Sequence, residues 1–369
     1  MSTPNQVLKN NFAFVIHPVD PRQDVARKFK LLGRYLPVSA INYLSLYFPP
    51  LYLSHVAGIN SRLGQEIDGW LLACPLTPAR MLSLPVELAY KKIVEVGHLA
   101  ERLGARLLGL GALTSVIGDA GLTVSERLNI PVTTGDSYTV AVAAEAVKMA
   151  AARMGVNLRE SHLAVVGATG AIGRACAELL LDDVGSLLLI ARRRAALEEL
   201  QAQLAARGRT SVRVASQVEQ IREADVIISA SSSLDTLLRP EYLKRGAVIC
   251  DVARPRDVAR QVAKTRKDVL VIDGGVVEVP GPVDFGFDFG LRPKMAYACM
   301  AETMILALEG RYESYSIGRR LSVAKIKEMA GLAQKHGFKV ASLLSFDRTV
   351  SERHIAAIRD RAEAHTSVV

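Results

Sequence analysis

Residues 163–181, LAVVGATGAIGRACAELLL, constrain the chain more than any other stretch: an apolar strand runs into three glycines, Gly167, Gly170 and Gly173, and then into an amphipathic helix. The glycines permit a tight turn, close backbone approach to a pyrophosphate and close packing of helix on strand, while the helix N-terminus presents amide donors to an anion. The unit reads as a dinucleotide-binding βαβ, with Gly167, Ala168, Thr169, Gly170, Ala171, Ile172 and Gly173 against the cofactor. The next strand ends SLLLIARRR, and Arg192 and Arg193 stand where an NAD site carries a carboxylate for the ribose hydroxyl. Guanidinium groups pair with a 2′-phosphate, so the expected cofactor is NADPH. The competing reading is that Arg193 and Arg194 merely open a solvent-facing helix. Ser229, near the end of a later strand, and Gly275, in the Gly-rich loop DGGVVEVPG, complete the expected cofactor positions.

After this unit, β-branched or leucine-rich runs at 186–191, 211–214, 225–230, 247–251 and 268–272 alternate with helical or turn-rich stretches. That rhythm predicts a parallel sheet. A chain of 369 residues accommodates two packed domains. The expected architecture is α/β: a Rossmann-like NADP-binding domain with a parallel sheet at 156–292, an N-terminal α/β substrate domain at 1–155, and a C-terminal helical segment at 293–369 packing back on it. In the N-terminal part, FAFVI (12–16) predicts a strand, 22–34 and 86–103 predict helices, and the Ala-rich run from Thr139 to Met154 predicts a long connecting helix. A glycine motif in mid-chain needs a domain before it, which places the expected substrate site between domains. Short-chain dehydrogenase chemistry is excluded, because no tyrosine is followed four residues later by lysine.

Residues 35–58 contain no Lys, Arg, Asp or Glu but four tyrosines, and three prolines would break a membrane-spanning helix. Such a segment suits a membrane-surface contact or an acyl-chain entrance, or equally an ordinary buried loop and helix. A net charge of +9 is compatible with an acidic partner and equally with a solvated basic surface. Four dispersed cysteines without a CxxC pair, and seven histidines without metal spacing, suggest neither zinc nor disulfides. With no secretory pattern at the N-terminus, the expectation is a reducing cytoplasm, with peripheral membrane attachment left open.

Downstream, LRPKMAYACMAETMILALEGRYE predicts a helix beginning near Lys294, which puts Cys299 in its first two turns. Helix amides, with Arg292 or Lys294 nearby, would favour the thiolate that attacks carbonyls. A lone cysteine on a helix is otherwise a small core residue. Hydroxyls at Ser115, Thr134 and Ser137 are candidate oxyanion donors near a substrate, or else turn and cap residues.

The ordered blocks TTGDSYT (133–139), AVVGATGAIG (164–173), DGGVVE (273–278), YACMAE (297–302), LALEGRY (306–312) and SIGRRLSVAKIKEMAGLAQKHGF (316–338) resemble the cyanobacterial long-chain acyl–acyl-carrier-protein reductases. The resemblance implies NADPH-dependent reduction of a fatty acyl thioester, from acyl carrier protein or acyl-CoA, to the aldehyde through an acyl-cysteine. It maps that cysteine to Cys299 and the cofactor glycines to Gly167, Gly170 and Gly173. Two positions depart from the family: Asp136 replaces an Asn and Val279 a His. A carrier protein is acidic, which gives the basic balance a use and leaves no role for nucleic acid. Rival readings are a shikimate dehydrogenase-like enzyme, a glutamyl-tRNA reductase-like enzyme whose nucleophile would be Cys74, and a non-catalytic NADPH-binding module at a membrane surface.

Overall fold

The computed structural model describes residues 10–364 apart from 209, 234 and 235, so the stretch read for a secretory signal lies partly outside the described residues. The chain forms two compact units. One contains the described residues up to Gly135 with Val277–Gly318 and Gly331–Lys339; the other contains Asp136–Val276, Arg319–Ala330 and the described residues from Val340. These limits differ from the expected boundaries at 155 and 292. Helix Asp136–Met154 belongs to the second unit because Val140, Ala143, Val147 and Ala150 enter that unit's core. Residues 277–318, with Cys299, return to the first unit instead of forming a separate C-terminal segment.

In the first unit β1 (Asn11–Ile16), β2 (Leu51–Asn60), β3 (Glu66–Ala73), β4 (Leu108–Leu110) and β5 (Val132–Thr133) form a sheet in the order β2-β3-β1-β4-β5. All pairs are parallel except β2 with β3. Side chains alternate across the sheet, so Ala13, Val15, Leu108 and Leu110 share a core with Ile93 and Val96 of helix Val86–Arg102. Gly109, between two of those leucines, points the other way, where an added Cβ would lie 2.1 Å from Thr303 Oγ1 of helix Ala298–Leu308. That helix is apolar on nearly every side and almost wholly buried, as an all-round hydrophobic helix must be.

The charge-free segment 35–58 divides between an edge strand and short helices. Residues from Leu51 on belong to β2, paired with β3 from Leu51↔Ala73, and Leu53 and Val56 are buried there. Burial in an edge strand accounts for the missing charge in that half. Ahead of it lie three short helices, α1 (Pro21–Lys28), α2 (Lys30–Tyr35) and α3 (Val38–Leu44). Among the described residues no helix is long and apolar enough to cross a membrane.

His17, just past β1, is buried with Nε2 3.1 Å from the Leu113 N–H, which it accepts, and Nδ1 3.4 Å from the Pro18 carbonyl. Burial drives its pKa from 6.5 down to about 4, against a smaller raising effect of the Pro18 carbonyl. The unfolded chain then takes up a proton below pH 6.5 that the folded chain refuses until about pH 4. Stability therefore falls with pH across that window, by up to about 3 kcal/mol from this residue. His17→Gln keeps an acceptor without titrating, so urea unfolding of the variant should show a flatter pH dependence between those limits. Equal slopes in the two proteins would contradict this assignment.

In the second unit β6 (His162–Val166), β7 (Ser186–Ile190), β8 (Ser211–Ala215), β9 (Val226–Ser229), β10 (Val248–Asp251) and β11 (Leu270–Asp273) form an all-parallel sheet, β11-β10-β9-β6-β7-β8. The chain winds outward from β6 to β8, then returns to lay β9 on the other side of β6, which is the Rossmann order with its switch point between β6 and β9. Apolar cores cover both faces, which explains the near-continuous hydrophobic strands. The tail is helical as expected, in Ala298–Leu308, Val323–His336 and Glu352–Glu363, with short extended pieces between the helices. Lys294 takes φ +65°, Met295–Tyr297 is extended, and Leu344–Ser345 pairs with Arg348–Thr349 before helix Glu352–Glu363.

Candidate active site

The glycine loop sits at the switch point of the second unit. Gly167 has φ +81°, and the amides of Gly167 and Ala168 donate to the Ile190 carbonyl at 2.9 and 3.1 Å. A Cβ on Gly167 would lie 2.6 Å from the Ala230 carbonyl oxygen, just past β9, and one on Gly173 would lie 2.4 Å from the Gly167 oxygen. These contacts forbid side chains and leave backbone facing the space above the strands. Gly170 caps helix Ala171–Leu180, so the amides of Ala171, Ile172 and Gly173 have no acceptor within the helix. Thr169 and Gly170 reach the surface, whereas Ala168 is fully buried and offers only its backbone. The arrangement fits a dinucleotide pyrophosphate.

Arg192 and Arg193 are exposed immediately after β7 and its Ala191, and Arg193 Nη2 donates to the Thr169 carbonyl at 3.4 Å. Arg194 instead pairs with Glu198 at 2.8 Å along its own helix, so the solvent-facing reading holds for Arg194. Ser229, expected at the cofactor, has its hydroxyl held within the protein. Its hydroxyl is buried and donates to Asp257 Oδ2 at 2.6 Å, and the Ser231 amide donates to the same oxygen at 3.0 Å. Ser229 thus braces the loop beside Gly167. Asp251 accepts from the amides of Ala253 and Val258, and burial raises its pKa to about 6. Gly275 takes φ +85° and is buried, with 3.6 Å between an added Cβ and the Thr139 methyl, so backbone conformation rather than space selects glycine there.

Cys299 lies in the first unit, second in a helix that starts at Ala298, and is therefore closer to the N-terminus than a start at Lys294 would place it. It is the one cysteine of the four that is not buried. Burial pushes Cys74 and Cys176 up to about 12 and raises Cys250 as well, which makes those thiols inert. Against Cys299 packs Gly135 (φ +74°): an added Cβ would lie 2.2 Å from the Cys299 Cα and 2.4 Å from its Cβ.

Hydrogen bonds pin that turn from two sides. Thr133 Oγ1 donates to Glu302 Oε1 at 2.5 Å and accepts from the Gly135 amide at 3.2 Å, while Thr134 Oγ1 donates to the Ser316 carbonyl at 2.6 Å. Glu302 is fully buried, one turn along from Cys299. The expected oxyanion hydroxyls are otherwise engaged: Thr134 as just described, and Ser115 by donating to the Ala112 carbonyl at 2.7 Å. Ser137 is buried in the first turn of helix Asp136–Met154 in the second unit. Sequence reasoning missed Thr133, Gly135 and Glu302 as a group. They lie in the TTGDSYT and YACMAE blocks, but nothing local pairs those blocks.

The strand order and the backbone cradle define a Rossmann-type unit of the kind that binds dinucleotides. Residues 148–274 match the shikimate / quinate 5-dehydrogenase family model, a match confined to that unit. The long-chain acyl-[acyl-carrier-protein] reductase of Synechococcus elongatus is 29% identical over 310 residues, covering 80% of this chain and 89% of its own length. Aminotransferase PigE of a Serratia species is 32% identical over 307 residues, which is 82% of this chain but 36% of PigE, so the chain spans about a third of that relative. Among solved structures, the Entamoeba histolytica malic enzyme aligns over 97% of this chain and 70% of its own at 14% identity, with a TM-score of 0.44. A likeness that slight bears on neither substrate nor site.

Proposed function

We propose that this chain reduces a long-chain fatty acyl thioester, delivered by an acyl carrier protein or coenzyme A, to the fatty aldehyde, with NADPH as reductant and Cys299 as the acyl acceptor. The observation that carries the reading is the setting of Cys299: an accessible thiol in the first turn of a buried helix, locked against the Thr133–Gly135 turn, in a chain that also holds a dinucleotide cradle. Similarity to a reductase named for long-chain acyl-[acyl-carrier-protein] supports the substrate class.

Cys299 Sγ, as thiolate, bonds to the thioester carbonyl carbon, and the carrier sulfur leaves and takes up the proton the thiol gave. The N-terminal dipole end of helix Ala298–Leu308 stabilises the oxyanion, the Ser115 and Thr134 hydroxyls being engaged elsewhere. Bound at the glycine cradle, NADPH would supply the hydride that brings the acyl group to the aldehyde level. Collapse of the resulting hemithioacetal breaks the C–S bond, releases aldehyde and returns the Cys299 thiolate.

Intact mass after incubation with a long-chain acyl-CoA, without NADPH, tests the acceptor. An acyl adduct should appear on the wild-type chain and be absent from Cys299→Ala; an adduct on both removes Cys299 from the mechanism. The cofactor choice has its own test. Replacing both Arg192 and Arg193 with alanine should weaken NADPH binding by roughly tenfold to a hundredfold through loss of charge-assisted pairs to the 2′-phosphate, and leave NADH unchanged. Equal losses for both cofactors would point to a damaged cradle.

The shikimate / quinate match favours one alternative, a dehydrogenase of another substrate. It would be chosen if Cys299→Ser kept full turnover. A glutamyl-tRNA reductase-like use of Cys74 conflicts with the full burial of that thiol.

A further inference from the structure

The first unit carries a surface that neither its core nor the proposed chemistry uses. Among the described residues, fourteen large apolar side chains are strongly exposed; all lie between Leu31 and Leu122, and eight fall within 31–52. The reason is local. Helices α1, α2 and α3 together bury only Gly33 and Ile41, and Gly33 is held so tightly against Ala26 that an added Cβ would lie 2.4 Å from the Ala26 nitrogen. Packing of backbone on backbone leaves the larger side chains outside. Leu31 is 72% exposed, Tyr35 69%, Tyr47 68% and Tyr43 56%. Tyr43 and Tyr47 contact each other with rings tilted by 54° and centroids 5.4 Å apart, and the Arg34 guanidinium lies over the Tyr35 ring at 5.6 Å.

Along the segment that carries this face, past Asp24, the charge has one sign. Residues 25–65 contain Arg27, Lys28, Lys30, Arg34 and Arg62 and no Asp or Glu. Arg27 pairs with Asp24 and Lys28 donates to the Leu53 carbonyl, while Lys30 and Arg34 project from α2 beside Leu31 and Tyr35. We propose that α2, α3 and the turn through Tyr47 form a monotopic contact for an anionic lipid bilayer surface, with leucine and tyrosine entering the interface and Lys30 and Arg34 meeting acidic headgroups. Three features select this occupant. Tyrosine, apolar in body and polar at its tip, matches the headgroup level. Lysine and arginine next to apolar side chains add coulombic attraction to acidic lipid. A second copy of the chain would bring like charges face to face across an isologous contact. The contact lies on residues 30–47, ahead of the edge strand, and does not depend on the reaction proposed above.

Co-sedimentation of the full chain with vesicles tests it. At low ionic strength the wild-type chain should partition onto phosphatidylcholine–phosphatidylglycerol vesicles at least about tenfold more than onto phosphatidylcholine alone. The double substitution Leu31→Glu with Tyr35→Glu should cut that binding by about tenfold or more, while thermal unfolding and NADPH binding stay unchanged, since both side chains are exposed. Lys30→Gln with Arg34→Gln should remove the preference for the acidic lipid. Tyr43→Ser with Tyr47→Ser supplies a second apolar variant should the first fail to fold. No partition onto either vesicle overturns the proposal, as does partition that responds to salt but not to either apolar variant. If the apolar variants instead lose an acidic carrier protein and keep the vesicles, the face belongs to that protein and the lipid proposal fails. Acylation of Cys299 is read separately by mass, so failure here leaves that reading untouched.

Discussion

Replacing Cys299 with alanine is expected to lower aldehyde formation from a long-chain acyl thioester by at least about a thousandfold, with no change in NADPH affinity, because covalent capture is lost while the glycine cradle is untouched. The remaining cysteines offer no substitute. Cys74, Cys176 and Cys250 are fully buried, and burial raises each thiol. Serine at 299 should be nearly as poor, since a hydroxyl is far less ionised than a thiol and the site supplies no identified base. Steady-state rates with acyl-CoA, together with a fluorescence titration of NADPH, separate the two effects. Turnover within about tenfold of wild type for Cys299→Ala would sink the acyl-cysteine route.

The second large effect is expected at a residue that never touches substrate. Gly135→Ala carries two penalties: a left-handed backbone that costs an L-residue about 1–2 kcal/mol, and a methyl group 2.2 Å from the Cys299 Cα. The turn cannot slide away, because Thr133 is tied to Glu302 and Thr134 to Ser316. The helix start must move instead. Displacement of a reacting group by about 1 Å can cost about a hundredfold in rate, which is the expected loss in kcat, with stability lower by about 2–4 kcal/mol from backbone strain and overpacking together. Gly104→Ala provides the control: its φ is +83° but nothing lies within 4 Å of the added Cβ, so it should lose only about the strain and keep full activity. If the two variants behave alike, close packing on Cys299 has no functional weight.

Much of the second unit was legible in the residues. Its six strands fall within two residues of the expected runs because each is a short, doubly buried apolar segment bounded by turn chemistry. The glycine loop could be read because strand, turn and helix are contiguous. The arginines after the second strand were legible as a run, and the structure adds that Arg194 pairs along its own helix. The first unit resisted such reading. An edge strand and an exposed helical face share the same charge-free composition between 35 and 58, and only pairing with β3 distinguishes them.

The sequence by itself determined the cofactor fold, the cradle glycines and the candidacy of Cys299, because each depends on interactions within a few turns or one βαβ unit. The tertiary structure alone showed which protein acceptors hold the hydroxyls of Ser115, Thr134 and Ser229. It alone joined Thr133 to Glu302 across 169 residues and set Gly135 against the thiol. A hydroxyl's role depends on which acceptor the fold brings within reach, and residues 277–318 meet the turn at 133–135 only after the whole cofactor unit has been threaded between them.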